Sequence, residues 1–339
     1  MSMRLLLLIA IMCFVACDKP GIEMSKYENV DYELQCIWNQ APHCAFTSII
    51  EYDGRFYCCF REANTHIPYP GGGYGVIRIL ESLDGDNWYS ACVIGDFNYD
   101  LRDPHMSITP DNRLMIICGC SVLDQFSALN VRPSKVCFFS SSQSISMAQY
   151  EEHYVNIDGN QDYSSYWLWK TTWHDGIVYG CAYQNGNFPI LVKSFDGINY
   201  TVITELPMFG SEADIDFIAD DMVIVCRPIN NADQGFVGTS SPPYIDWSYK
   251  QTDCMIHCPD ILSISGVGLY VAGRSDYGTT IFRIEENIIH PVKYLPSDGD
   301  SGYPGMLYDK YNDELLVSYY TTPSTTQIYL AKFLVSDIL

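Results

Sequence analysis

The stretch His43-Cys44-Ala45-Phe46-Thr47-Ser48-Ile49-Ile50-Glu51-Tyr52-Asp53-Gly54-Arg55-Phe56-Tyr57-Cys58-Cys59-Phe60-Arg61 decides the fold of this chain. A short polar lead-in passes into an apolar strand, and Asp53-Gly54 supplies a hairpin turn. A second apolar strand follows, rich in aromatic, β-branched and Cys residues. The same unit recurs from Arg102-Asp103-Pro104 to Cys118, from Tyr166-Trp167 to Cys181 and from Ser211-Glu212 to Arg227. It returns from Cys258-Pro259 to Arg274 and from Gly302-Tyr303-Pro304 to Tyr320. Each pair precedes a second, more polar pair, such as Val76 to Leu80 with Trp88 to Ile94, or Ile190 to Lys193 with Tyr200 to Thr204. Six units at a spacing of about 45–60 residues predict an all-β, six-bladed β-propeller of four-stranded antiparallel blades. The sixth unit runs out after Ile328 to Leu334, so its outer strand must come from the N-terminal side, around Asp31 to Trp38. That closure removes the open edge a ring of sheets would otherwise expose.

Composition narrows the function. The 339 residues are 47% hydrophobic, ample for a core, and the net charge of −22 comes from 41 acidic against 19 basic residues. So acidic a chain excludes nucleic acid as a partner, because phosphate binding needs a basic surface. Arg4 followed by the apolar run Leu5 to Ala16 reads as an export leader, too short to span a bilayer. Phe14-Val15-Ala16-Cys17 resembles the lipobox of bacterial lipoproteins. The expected organisation is a leader over 1–16, a lipidated Cys17 with a polar tether over 17–30, and the propeller over 31–339. Such a protein would sit in the bacterial cell envelope, at the outer membrane or cell surface, held to the membrane by its lipid alone. A monomer is expected. The remaining cysteines fall mostly in apolar strand-like runs and read as small hydrophobes; disulfides Cys36–Cys44 or Cys254–Cys258 stay open. No zinc-ligand spacing occurs, so no metal and no cofactor is expected.

Propeller geometry puts the starts of first strands and the ends of second strands on one face. Arg61, Arg227 and Arg274 end second strands there, and Arg102, Asp103, Glu212 and Tyr303 begin first strands. Converging guanidiniums repel one another unless an anion joins them, and a bound carboxylate gains roughly 1.5–3 kcal/mol per charge-assisted bond. Pairing of each arginine with its own acid is the alternative. Ser82-Leu83-Asp84-Gly85-Asp86-Asn87-Trp88 and Ser194-Phe195-Asp196-Gly197-Ile198-Asn199-Tyr200 lie on the opposite face, with a degenerate copy at Ser240 to Trp247. They resemble Asp boxes of the sialidase-type propellers, which are structural turns.

The layout as a whole resembles the sialidase superfamily over about residues 43–335. Phe60-Arg61 stands at that family's first arginine motif, Ser211-Glu212 to Cys226-Arg227 at its glutamate and second arginine, and Arg274 at its third. Gly299-Asp300-Ser301-Gly302-Tyr303-Pro304 resembles the segment carrying the nucleophilic tyrosine. The resemblance implies that Tyr303 attacks the anomeric carbon with Glu212 as base, while Arg61, Arg227 and Arg274 clamp a substrate carboxylate. Arg102, Asp103 and Tyr320 are further substrate-binding candidates. The family's acid is an aspartate in the loop after the first arginine. Here residues 62–75 contain none, which leaves Glu62 or His66 as the expected donor. Tyr319-Tyr320 replaces the family's last glutamate, and the Gly71 to Gly75 run is expected to form a lip over the site. His43, His105 and His257 read as rim contacts, and Trp167, Trp169 and Trp173 as packing between blades.

The implied function is an exo-acting glycoside hydrolase that releases a terminal acidic, sialic-acid-like sugar from glycans. The alternative is a non-catalytic cell-surface lipoprotein whose propeller binds such a glycan. A propeller used only for protein assembly would have no saccharide affinity.

Overall fold

Strands form where Val, Ile, Tyr, Phe and Cys alternate with smaller or polar residues, because a pleated strand sends successive side chains to opposite faces. The computed structural model describes residues 31–338 apart from 69–72, 124–128, 141–143, 185–186 and 230–233. The leader, Cys17 and the tether lie outside the described residues, as do Gly71 and Gly72 of the expected lip. Among the described residues, twenty-five strands form six sheets, in the expected architecture.

The first strand, β1 (Glu33–Trp38), joins the last sheet. Blade one is β2 (His43–Tyr52), β3 (Arg55–Ala63), β4 (Val76–Ser82) and β5 (Tyr89–Ile94). Blade two is β6 (Asp100–Ile108), β7 (Leu114–Leu123), β8 (Leu129–Phe139) and β9 (Tyr150–Tyr154). The short β10 (Asn156–Asp158) was not foreseen; it pairs parallel to the outer strand of blade three. That blade otherwise runs β11 (Trp167–His174), β12 (Ile177–Tyr183), β13 (Ile190–Ser194) and β14 (Asn199–Glu205). Blade four is β15 (Gly210–Ile218), β16 (Asp221–Pro228), β17 (Gln234–Ser240) and β18 (Ser248–Met255). Blade five is β19 (His257–Ile264), β20 (Gly268–Ser275), β21 (Gly278–Glu285) and β22 (Ile288–Tyr294). Blade six holds β23 (Gly302–Asp309), β24 (Glu314–Thr321) and β25 (Gln327–Leu334), and β1 completes it antiparallel to β25.

The closure is also fastened by side chains. Trp38 of β1 donates to Glu62 of blade one at 2.8 Å, and Arg78 holds both oxygens of Glu62 at 2.7 and 2.8 Å. Since β1 pairs Glu33 with Lys332 and Trp38 with Ile328, the chain climbs into blade six from the lower face, opposite the starts of the inner strands.

Apolar residues fill the spaces between neighbouring blades; Tyr57, Ile79, Leu101, Ile116 and Cys137, for example, pack between blades one and two. All twelve described cysteines are unpaired, including both pairs left open by the sequence. Burial pushes the Cys58 thiol up to about 12, so it packs as a small hydrophobe. Gly119 is needed by contact, because a Cβ there would meet the Trp167 ring at 2.1 Å.

The inner strands are stapled across blades by one repeated device. Ser48, Asp214 and Asp260 accept the backbone N–H of Met106, Ile261 and Met306, each on the inner strand of the next blade, at 3.1, 2.9 and 2.6 Å. Buried Lys170 joins the two acids: its ammonium pairs with the Asp260 carboxylate, donates to Pro259 O at 2.9 Å and lies 3.6 Å from Asp214.

Every innermost pair carries a bulge at the same height. The register breaks between Ala45 and Ser48, Arg102 and His105, Leu168 and Thr171, Gly210 and Ala213, His257 and Asp260, and Gly302 and Gly305. Two residues there face one on the partner strand, which bends the strand and re-aims its side chains. Pro104, Pro259 and Pro304 take the second bulge position in three blades, where no ladder N–H is needed.

Candidate active site

The bulges carry Phe46, Asp103, Trp169, Cys258 and Tyr303 at their first position and Glu212 at the second, one residue from each blade. Phe46, Asp103, Cys258 and Tyr303 adopt positive φ of 66°, 49°, 46° and 45°, a left-handed backbone that costs about 1–3 kcal/mol per residue outside glycine. Strain repeated at one height marks the hub as a positioning device.

The centre is a hydrogen-bonded cluster on Glu212. Its Oε1 accepts the Tyr303 hydroxyl at 2.6 Å and Arg227 Nη1 at 3.0 Å, while Oε2 accepts the Cys258 N–H at 3.1 Å. The Cys258 thiol in turn accepts the Tyr303 N–H at 3.1 Å, so one bulge fixes both partners. Burial, then the negative charge of Glu212, pushes the Tyr303 phenol well above its ordinary value. It is therefore protonated here, with the Glu212 carboxylate in direct hydrogen-bond contact. Arg227 has no described partner besides Glu212, and with 31% of its side chain exposed it faces solvent.

Arg274 borders Tyr303, its guanidinium carbon 5.9 Å from the ring. Its Nε bonds Ser301 O, and its Nη2 reaches Asp300 Oδ1 at 2.8 Å and the Tyr320 hydroxyl at 3.0 Å. Asp300 Oδ2 lies 3.2 Å from His66 Nδ1, which joins blade one to blade six across the upper face.

Phe46 packs edge-on to Tyr303 at 4.6 Å, and the Arg102 guanidinium carbon lies 5.1 Å from the Phe46 ring centre. Arg102 is buried; its Nη1 makes no hydrogen bond but lies 3.8 Å from Asp100 Oδ2, its Nη2 donates to His66 O at 3.4 Å, and its Nε lies 4.0 Å from Asp103 Oδ1. Asp103 Oδ2 accepts Trp169 Nε1 at 3.1 Å, while Oδ1 is buried without a hydrogen-bond partner. Burial raises Asp103 to about 6; Arg102 opposes the shift and Glu212 adds to it. Asp103, Trp169, Phe46 and Tyr303 line one small cavity at the hub.

Two expected site residues stand apart from this cluster. Arg61 is fully buried: it donates to Asp100 Oδ1 at 2.7 and 3.3 Å and to Thr65 O at 2.9 Å, with His43 Nδ1 at 3.4 Å. Burial and Arg61 push His43 down to about 4, so its neutral ring can accept. Gly75 closes the last side, since a Cβ there would lie 2.4 Å from Arg61 Nε. Glu62 points to the opposite face of β3, as the neighbour of an inward residue must, and is spent on Arg78 and Trp38. The structure thus groups Tyr303, Glu212, Arg227, Arg274, Tyr320, Asp103, Arg102 and His66, and takes Arg61 and Glu62 out of direct reach.

Asp100, Asp300 and Cys258 were missed as site-shaping residues. The signal available was the recurrence of a residue before Pro in the inner strands (Asp103-Pro104, Cys258-Pro259, Tyr303-Pro304), which marks the bulges. His43, His66 and Asp300 offer three metal-ligand atoms within 4.8 Å of one another, but the positive charges of Arg61 and Arg102 act on His43 and disfavour a cation there.

No protein-family model and no curated protein matches the chain. Solved structures do. A protein of unknown function from Dyadobacter fermentans superposes with a TM-score of 0.74 at 16% identity, covering 90% of this chain and 99% of that one. The NanB sialidase of Streptococcus pneumoniae gives 0.66 at 10% identity, over 90% of this chain and 71% of that one. A Trypanosoma rangeli sialidase mutant displaying trans-sialidase activity gives 0.61 at 12% identity, over 91% of this chain and 59% of that one. At such identities the likeness is one of fold: a sialidase-like propeller.

Proposed function

We propose that this chain is an exo-acting glycoside hydrolase that removes a terminal acidic, sialic-acid-like sugar. The observation that carries the reading is the 2.6 Å hydrogen bond from the Tyr303 hydroxyl to Glu212, with Arg227 on the same carboxylate oxygen. A neutral phenol approaches an anionic sugar without the repulsion an ionised carboxylate would meet, and tyrosine is an attested exception to the two-carboxylate scheme. As the phenolic oxygen bonds the anomeric carbon, Glu212 takes its proton and the bond to the leaving oxygen breaks. Asp103 supplies the proton to that oxygen. Its raised value and unpartnered Oδ1 suit a donor and support giving it this role ahead of His66 and of Glu62, which is held by Arg78 and Trp38. Water then attacks the tyrosyl–sugar bond, Asp103 accepting its proton and Glu212 returning one to the phenol. Arg227, Arg274 and Arg102 receive the substrate carboxylate; Arg61 orders the upper face through Asp100 and the loop carbonyl of Thr65.

The substrates to be assayed are aryl sialosides and other 2-keto acid glycosides. Wild type should hydrolyse at least one of a panel, and Tyr303→Phe and Glu212→Gln should lose about a hundredfold or more in kcat. No turnover above background from wild type on any of the panel would refute the enzyme reading. The occupation of Arg274 by Asp300 favours the second reading, a glycan-binding propeller without turnover; it predicts saccharide affinity abolished by Arg227→Ala. The envelope location with lipid at Cys17 remains part of the proposal. A tether leading into β1 would leave from the lower face, which turns the site away from the membrane.

A further inference from the structure

Arg274 has little of its guanidinium left for a ligand. A carboxylate binds arginine best through two parallel N–H groups. The pair of donors that includes Nε is closed by Ser301 O, so only the Nη1–Nη2 pair remains, and Nη2 already holds Asp300 and Tyr320. Burial by itself would raise Asp300, yet its bonds to His66 and Tyr320 and the charge of Arg274 hold it below its ordinary value, so it is an anion at neutral pH. Its backbone carbonyl is tied to Thr322 Oγ1 at 2.7 Å, and 38% of its side chain is exposed. The carboxylate can therefore turn while the backbone stays, and His66, 3.2 Å from the second oxygen, keeps it partnered when Arg274 is given up.

The geometry points to Asp300 as a specificity-determining residue: an internal carboxylate that occupies Arg274 and must be displaced onto His66 by the carboxylate of an incoming sugar. This rests on the carboxylate-binding reading of the site, and it goes beyond it. Affinity for the sugar is then set by competition between two anions for one guanidinium, and a glycoside without a carboxylate has nothing with which to displace Asp300.

The test uses the full chain and two readouts. In the first, acetate and N-acetylneuraminic acid are titrated by thermal shift at constant ionic strength. Asp300→Asn should bind both about fivefold more tightly than wild type, since a half-exposed ion pair of ordinary strength has been removed. The double variant with Arg274→Met should lose the gain, which locates it. His66→Gln, which leaves Arg274 untouched, should weaken binding by removing the place where Asp300 goes. In the second, KM for a hydrolysed aryl sialoside should fall about fivefold in Asp300→Asn, with kcat within twofold of wild type. Unchanged or weaker anion binding by Asp300→Asn overturns the proposal, because Asp300 then only orients Arg274. Should Asp300→Asn fail to fold, unchanged binding by His66→Gln overturns it equally. If wild type hydrolyses nothing, the glycosidase reading fails while the acetate titration still decides the role of Asp300.

Discussion

Replacing Asp103 by Asn tests the proposed proton donor and the cost of its burial together. The carboxyl sits at about 6, mainly because burial penalises its charge. As a proton donor it is about nine-tenths protonated at pH 5 and about one-tenth at pH 7, so kcat/KM should fall on an alkaline limb with an apparent value near 6. Asp103→Asn should abolish that limb and lower kcat by about a hundredfold or more, with the smallest loss on the most acidic leaving groups, which need least help from a donor. The stability effect has the opposite sign. A carboxyl raised from 3.8 to about 6 makes the folded state less stable by about 3 kcal/mol once pH exceeds 6, and costs nothing below 3.8, where it is protonated in both states. Asn never ionises and can still accept from Trp169 Nε1. The variant should therefore gain about 5 °C in Tm at pH 7.5 and almost nothing at pH 4. Differential scanning fluorimetry across pH, with the rate profile on the same preparations, measures both. A limb near 6 that survives in Asp103→Asn, or a Tm gain independent of pH, would refute the reasoning.

Other expectations follow from the same contacts. Arg102 favours the Asp103 anion, so Arg102→Gln should move the alkaline limb of kcat/KM to higher pH by roughly one unit; a shift to lower pH contradicts the electrostatic account. Lys170→Met leaves Asp214 and Asp260 buried without their cation and should cost about 3–5 kcal/mol at pH 7, measured as a lower denaturant midpoint. Asp214 would be held still higher without the ammonium, so the loss should shrink as pH falls and the carboxyl protonates. Gly119→Val drives a side chain into the Trp167 ring and should cost about 1–3 kcal/mol, with quenching or shift of tryptophan fluorescence as the local readout. Glu62→Gln removes the charge that Arg78 and Trp38 share across the closure, and a drop in Tm with kcat unchanged is expected.

The fold was legible because a propeller repeats its unit six times. The turn at Asp53-Gly54 and the runs to Arg61, Arg227 and Arg274 recur in register, and the shortage of one strand in the sixth unit called for β1. The short β10 escaped notice because three residues paired at an edge leave no period to read. The site was legible by face and only partly by partner. Strand ends share a face by topology, which brought Tyr303, Glu212, Arg227 and Arg274 into one group from sequence alone.

What tertiary structure alone decided is how each charge is spent. Arg61 and Arg274 end equivalent strands, yet Asp100 encloses the first completely while Asp300 leaves the second at the open face. Asp103 and Glu62 are both acids near the hub in sequence, but burial beside an unfilled oxygen makes one a donor candidate, and strand alternation turns the other to the outside. The physical reason is range. Periodicity and turn chemistry are encoded within a few residues of one another, whereas the value and orientation of a charge depend on groups from other blades. Asp100 lies 39 positions from Arg61, and Tyr303 lies 91 from Glu212.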